Sequence, residues 1–426
     1  MSPAAGGPAG EGLDQQGVGA GTSAAPVRVA LVGTRGFGRV HLENLARLTS
    51  AGTAELVGVV DVVDPPAELT AIHHRSLEEL LAALPDDRAP EVVIIATPID
   101  THVPLATAAL AAGCQVYLEK PPVPELGELH TLQAAAEAAG RSVQVGFQAR
   151  GGEGVDALID LIATGQLGEI RSVRAYGAWR RDRAYYQRSR WAGKRRLEGR
   201  RVADGVATNP LAHAVHAALA IAGLTRIEDV AAVTTELRRA HAIEADDTTF
   251  LRIDPAPSAA AATDGRAAAS PPRPVVLAAL TTTAPEQSEP WVEVLGEEGS
   301  ARLWYTADRA QVRRADGTVT EHRYARRDLV ENLLAHARDP QAPLISPLSS
   351  TGAFSAVLEA IQSVPDPLPI EPGSVTWVGE GEAAHPVVDR IEEVLLEALD
   401  RGEPFSRLEL PWARQDAIAR WVPPAA

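Results

Sequence analysis

From Val27 onward, apolar residues alternate between two spacings. Val27–Val32 is a short β-branched run, which predicts a strand, and a glycine-bearing turn follows at 33–38. Val40–Leu48 then has helical spacing. Leu56–Val60 predicts a second strand ending in Asp61, and Glu91–Ala96 a third. Thr101–Ala112 predicts a helix closed by Gly113, and Glu125–Ala139 another closed by Gly140, since glycine is favoured just past a helix end. Gln115–Leu118 and Val143–Val145 supply further strands. Strands alternating with helices predict a parallel, doubly wound sheet over residues 27–149, with right-handed crossovers.

After about Arg150 the rhythm changes. Helical stretches at Val155–Ala163 and Asn209–Ala222 precede consecutive strand-like stretches at Asp229–Leu237, Thr248–Ile253, Val275–Thr282, Trp291–Leu295 and Ala301–Trp304. Strands without intervening helices predict an α+β second domain over 150–426 with a mainly antiparallel sheet. Helices are expected at Asp328–Ala337, Ala353–Ser363 and Val387–Leu399, and an Ala- and Pro-rich mobile loop at 255–274. Residues 1–26 lack periodicity and the features of a signal peptide, so they are expected to form a disordered tail on a cytoplasmic protein. The fold class expected is thus α/β, with two domains.

Composition narrows the function. No apolar run is long enough for a membrane-spanning helix. The single cysteine, Cys114, can form neither an intramolecular disulfide nor a cysteine-based zinc site, and it is expected to be a buried apolar residue. No histidine spacing suggests a metal. The net charge of −16 speaks against nucleic acid and anionic membranes as partners.

Candidate chemistry begins at Gly33, Thr34, Arg35, Gly36, Phe37 and Gly38, a turn between a strand and a helix. There the free N–H groups of the helix N-terminus can hold a pyrophosphate. Arg35 stands where the usual motif has its middle glycine, and Gly33 and Gly38 can serve as the first and third. Asp61 can accept hydrogen bonds from ribose hydroxyls and would repel a 2′-phosphate, which favours NAD, with NADP as the alternative. Two further segments, Thr97-Pro98 with His102 and Glu119-Lys120-Pro121, leave the carboxyl edge of the expected sheet, where ligands of such folds bind.

With these segments and Val145-Gly146-Phe147, the sequence resembles the glucose–fructose oxidoreductase / inositol dehydrogenase / rhizopine catabolism (Gfo/Idh/MocA) family, well over residues 27–225 and in outline beyond. The resemblance implies a Rossmann domain, a nicotinamide cofactor near Thr97, Pro98, His102, Glu119 and Lys120, and homo-oligomers formed through the second sheet. It implies that Lys120 reaches the reacting hydroxyl. An ammonium there stabilises an alkoxide as hydride leaves. A cis Lys120–Pro121 bond is expected.

Asn209-Pro210-Leu211-Ala212-His213 matches the family's Asp/Asn-x-x-x-His element, which makes His213 the candidate general acid–base. Asn209 followed by Pro210 also reads as a helix cap, and its spacing of four would put it on the same helix face as His213. Many relatives carry Asp at the positions of Asn209 and His216, so weaker proton transfer, or a non-catalytic cofactor-binding sensor of the same fold, stands as the alternative.

Between Arg180 and Arg201, ten basic residues face two acidic ones, a local net of +8 beside the expected cleft. Tyr186, Arg188 and Trp191 within it are the expected contacts of a polyhydroxylated, carboxylated or phosphorylated substrate. The competing expectation is a solvated loop whose arginines pair with acidic neighbours. The function expected is hydride transfer between nicotinamide and a hydroxyl or carbonyl carbon of a sugar, inositol or sugar-derived acid.

Overall fold

The computed structural model of the chain describes residues 25–257 and 272–424. The expected tail over 1–26 and loop over 255–274 lie largely outside these residues.

The first unit runs β1 (Val27–Val32), α1 (Phe37–Ser50), β2 (Ala54–Val60), β3 (His73–His74), α2 (Leu77–Ala83), β4 (Val92–Ile95), α3 (His102–Ala111), β5 (Gln115–Leu118), α4 (Leu126–Ala139) and β6 (Val143–Val145). Its six strands pair in the order β3-β2-β1-β4-β5-β6, all parallel. β4 is buried at every position, as a strand covered by helices on both faces must be. The strand order reverses between β1 and β4, so the turns leaving these two strands splay apart and open a crevice at the carboxyl edge. Gly140 takes up the left-handed conformation (φ 58°) that ends α4.

The second unit contains α5 (Glu153–Ala163), β7 (Ile170–Ala178), α6 (Arg183–Gln187), the two-residue strands β8 (Arg196–Leu197) and β9 (Arg200–Arg201), and α7 (Ala212–Ile221). β10 (Val230–Arg239), β11 (Thr248–Pro255), β12 (Val275–Thr281), β13 (Trp291–Gly296), β14 (Gly299–Trp304), β15 (Arg309–Arg314) and β16 (Val319–Arg323) follow. α8 (Leu329–Arg338), α9 (Gly352–Ser363), β17 (Leu368–Pro369), β18 (Val375–Val378), β19 (His385–Val388), α10 (Ile391–Arg401) and β20 (Ile418–Trp421) complete it. A large sheet runs β16-β15-β14-β13-β7-β12-β11-β10-β17, with β20 on β10. It is mainly antiparallel, with β7–β12 and β10–β17 paired parallel.

Three differences from the sequence expectation have physical causes. β7, a central strand, went unpredicted because Arg171 and Arg174 break its apolar run; Arg174 instead pairs with Asp400 at 2.9 Å. The helix expected over Val387–Leu399 is split, since the β-branched Val387 and Val388 pair in β19 and the helix begins only at Ile391. Finally, α8 packs Leu329, Val330, Leu333 and Leu334 against Val27, Leu31 and Tyr117 of the first sheet, although it lies far along the chain. The largest apolar cluster joins both units and includes Phe147, Val215 and Phe354. Among the described residues no helix is long and apolar enough to cross a membrane.

Candidate active site

The turn after β1 is shaped by two glycines. Gly33 has φ +88°, and a Cβ on it would lie 2.5 Å from the carbonyl oxygen of Ala96. A Cβ on Gly38 would overlap the carbonyl oxygen of Gly33. Gly36 (φ +55°) stands ahead of α1, which no side chain caps, and nothing lies within 4 Å of where its Cβ would be. The result is an open backbone cradle at a helix N-terminus, the arrangement that accepts a pyrophosphate. Arg35, Gly36 and Phe37 are exposed on its rim.

Asp61 sits beneath this turn. Its Oδ2 accepts hydrogen bonds from Thr34 N (2.9 Å) and Thr34 Oγ1 (2.6 Å), and Oδ1 from Val63 N (3.2 Å). Burial pushes its pKa up, but the Thr34 and Val63 donors and Arg35 outweigh this and hold it below the usual carboxylate value.

Several side chains expected to touch a cofactor are engaged elsewhere. Thr34 gives both donors to Asp61. Glu119 is buried, bonded to His41 Nε2 of α1 at 2.9 Å and to its neighbour's N–H at 3.2 Å. His102 is buried with Nδ1 3.0 Å from Pro121 O and Nε2 3.0 Å from Thr97 O, and burial lowers its pKa. Thr34 thus ties the β1 turn to the end of β2, Glu119 ties the β5 turn to α1, and His102, which also lines the cleft between the two units, ties the β4 turn to the β5 turn. Thr97 bonds Thr101 (2.6 Å), and with Pro98 it lines the cleft.

That cleft lies between the units, with Thr97, Pro98 and Lys120 on one wall and Trp191, Val202 and Asn209 on the other. Lys120 follows β5, and its bond to Pro121 is cis. Its Nζ donates to Asn209 Oδ1 at 2.7 Å and to Asn209 O at 3.0 Å, which leaves one of three N–H groups free. Burial lowers the Lys120 pKa, with Arg188 acting the same way and Glu119 and Asp204 opposing.

Asn209 does not cap a helix. α7 begins at Ala212, with Leu211 before it and no side-chain cap, so Asn209 lies outside the helix and shares no helical face with His213. Its amide bridges Lys120 and Asp204 instead. His213, in the first turn of α7, packs edge-on to Phe147 with its Nδ1 buried and unpartnered among the described residues. Burial, reinforced by Lys120, His216 and Arg326, holds its pKa well below 6.5. His216 is stacked flat on Phe147 (3.8 Å between ring centres), and its pKa is lowered to about 3 by burial and Arg150. It is a neutral packing residue.

In the basic stretch several arginines pair with acidic neighbours, as the competing expectation has it. Arg188 is held between the rings of Tyr185 and Trp191, with its guanidinium on Asp204, and Tyr186 bonds Thr282 (2.9 Å) beside His241. Tyr186 is tied internally and Arg188 is anchored on Asp204, and of the three Trp191 lines the cleft. Arg190 pairs with Glu198 inside the stretch, while Arg195, Arg200 and Arg201 pair with Asp366, Asp100 and Glu359, so part of the local positive charge is neutralised from other parts of the chain. Among the described residues no metal-binding cluster occurs.

Comparison with known proteins adds the following. A family described as "Oxidoreductase family, NAD-binding Rossmann fold" matches residues 27–147, and the GFO/IDH/MocA C-terminal domain matches 155–302. An inositol 2-dehydrogenase of Leifsonia xyli is 32% identical over 154 residues, 36% of this chain and 45% of that protein. The inositol 2-dehydrogenase of Salmonella typhimurium is 30% identical over 151 residues, 34% of this chain and 43% of that protein. These matches span less than half the length of either relative. Among solved structures, the WlbA dehydrogenase of Bordetella pertussis, in complex with NADH and UDP-GlcNAcA, superposes with a TM-score of 0.60 at 23% identity, covering 81% of this chain and all of that one. An oxidoreductase of Agrobacterium radiobacter in complex with NAD+, L-tartaric acid and magnesium gives 0.61 at 16% identity, covering 79% and 95%. At these identities the two structures speak for the fold.

Proposed function

The chain belongs to the Gfo/Idh/MocA family of NAD-binding oxidoreductases, and we propose that it moves hydride between nicotinamide and a secondary alcohol or ketone carbon of a polyhydroxylated substrate such as an inositol, sugar or sugar acid. The reading is supported by Lys120, which lines the cleft with one N–H left free, and by His213, whose pKa the nearby lysine charge helps to lower.

The cradle of Gly33 and Gly38 fits a dinucleotide, with room above Gly36 for a phosphate and the anionic Asp61 placed for a ribose. When bound, the nicotinamide accepts or returns the hydride. The chain's own groups handle the substrate oxygen. In alcohol oxidation the C–H and O–H bonds would break and C=O form, the hydroxyl proton passing to neutral His213 and the hydride to nicotinamide where it is bound. The free N–H of Lys120 donates to the oxygen, so negative charge developing there is met by an ammonium in a water-poor cleft. In reduction the same groups act in reverse.

The test is absorbance of reduced cofactor across a panel of inositols, sugars and sugar acids with NAD or NADP. Turnover of at least one supports the reading. Tight NADH binding without turnover on any would instead identify a cofactor sensor.

Asp61 gives a separate prediction. Asp61→Ala removes both ribose acceptors and the anchor of Thr34. NADH affinity should fall about tenfold, the scale of one charge-assisted hydrogen bond. NADPH should gain relative to NADH. Fluorescence titration with both cofactors reads this, and an unchanged NADH to NADPH ratio would contradict the role given to Asp61.

A further inference from the structure

Asp204, buried in the turn ahead of α7, receives donors on every side. Arg188 Nη2 lies 3.1 Å from Oδ1 and 3.0 Å from Oδ2, Gly193 N donates to Oδ2 at 2.6 Å, and Asn209 Nδ2 donates to Oδ1. Since all four contacts are donors, the geometry is made for the carboxylate anion. Burial pushes the Asp204 pKa up, and these same donors oppose it. Arg188 is itself immobilised, 3.7 Å from the Tyr185 ring centre and 4.6 Å from that of Trp191, and it donates to Tyr185 O at 2.7 Å.

The orientation of the Asn209 amide follows. With Nδ2 on Asp204, its Oδ1 faces Lys120. The flipped amide would set its NH2 against an ammonium and its oxygen against a carboxylate, both repulsive.

We propose that Asp204 is a positioning residue for Lys120: through the Asn209 amide it fixes the accepting oxygen against Nζ and supplies, one residue removed, the negative charge that Asn209 lacks. This rests on the reading of Lys120 as the group that meets the reacting oxygen. An arginine clamped by two aromatic rings thus serves the site from behind. The charged groups facing Lys120 are Glu119, its own neighbour after β5, Asp204 in the turn, and Arg188 from the basic stretch, with His213 within its field. The two carboxylates favour the ammonium, and Arg188 opposes it.

The chain contains only two lysines, Lys120 and Lys194. Lysine-selective 13C labelling of the full-length protein therefore gives two side-chain titrations, assigned with Lys194→Arg. Asp204→Asn keeps the shape and removes the charge. The Lys120 midpoint should fall by roughly one pH unit, that of Lys194 should stay, and NADH affinity, which reports an intact fold, should be unchanged. Moving the carboxylate forward, in Asp204→Asn with Asn209→Asp, should restore the midpoint. Arg188→Gln gives an independent arm of opposite sign, since loss of the guanidinium should raise the midpoint.

An unmoved Lys120 midpoint in Asp204→Asn with NADH binding intact overturns the proposal, as does failure of the double variant to restore it. If Asp204→Asn does not fold, Asp204→Ser is titrated in its place, and an unmoved Lys120 midpoint there overturns the proposal equally. Turnover that survives loss of Lys120 would sink the catalytic reading alone, because the titration still reports whether Asp204 governs the lysine.

Discussion

Lys120→Met should lower kcat/KM by about 10³-fold or more with NADH affinity nearly unchanged. Methionine keeps the length of the side chain and removes the charge and all three donors. In the wild-type chain two of those donors are tied to Asn209 and one is left for the substrate. Its value lies in the transition state, where the substrate oxygen becomes more negative than in the bound alcohol. The loss should therefore fall mainly on kcat, with a smaller rise in KM. Stopped-flow or steady-state assays with a substrate found in the panel would measure it. A variant within tenfold of wild type would remove Lys120 from the reaction.

His213→Gln should slow turnover by about 10²-fold and change the pH profile in a defined direction. The pKa of His213 is depressed, first by burial and then by Lys120, His216 and Arg326. The ring is therefore neutral at pH 7 and ready to take a proton. Alcohol oxidation should hold its rate as pH falls past 6.5 and decline only near the lowered pKa. That acid limb should vanish in the variant; a limb that persists would place the base elsewhere.

The same shift has a stability consequence. Below pH 6.5 an unfolded chain protonates this histidine while the folded one does not, so folded stability is lost as pH drops. His216, with its pKa near 3, adds to the loss in the same direction. Melting curves of His213→Gln should therefore fall less steeply on the acid side than those of wild type.

Much of the frame was legible from residue order. Val27–Val32, Gln115–Leu118 and Val143–Val145 are strands with the bounds that apolar patterning predicted, because strands of a parallel sheet covered by helices are largely apolar. Gly33 and Gly38 were recognisable by spacing, and the contacts at their absent Cβ atoms show why no larger residue fits. Asp204 was missed. Asp204-Gly205 reads as a turn dipeptide, and nothing local signals that Arg188, Gly193 and Asn209 all point at it. Tyr186 and Arg188 were legible as a basic and aromatic surface but not as internally anchored groups, since Thr282 and Asp204 lie outside residues 180–201.

The sequence by itself determined the doubly wound first unit, the glycine turn, the edge lysine and a mainly antiparallel second sheet. All of these follow from local spacing and from the short reach of backbone hydrogen bonds. The tertiary structure alone decided which polar groups remain free. It brought α8 back onto the first sheet, tied His102 and Glu119 into the edge turns, and set the Asp204 carboxylate behind Asn209. A buried donor or acceptor must be matched by whichever partner the packing supplies, however distant in the chain. The identities of candidate groups are thus written in residue order, while their availability is settled only when the two units close around the cleft.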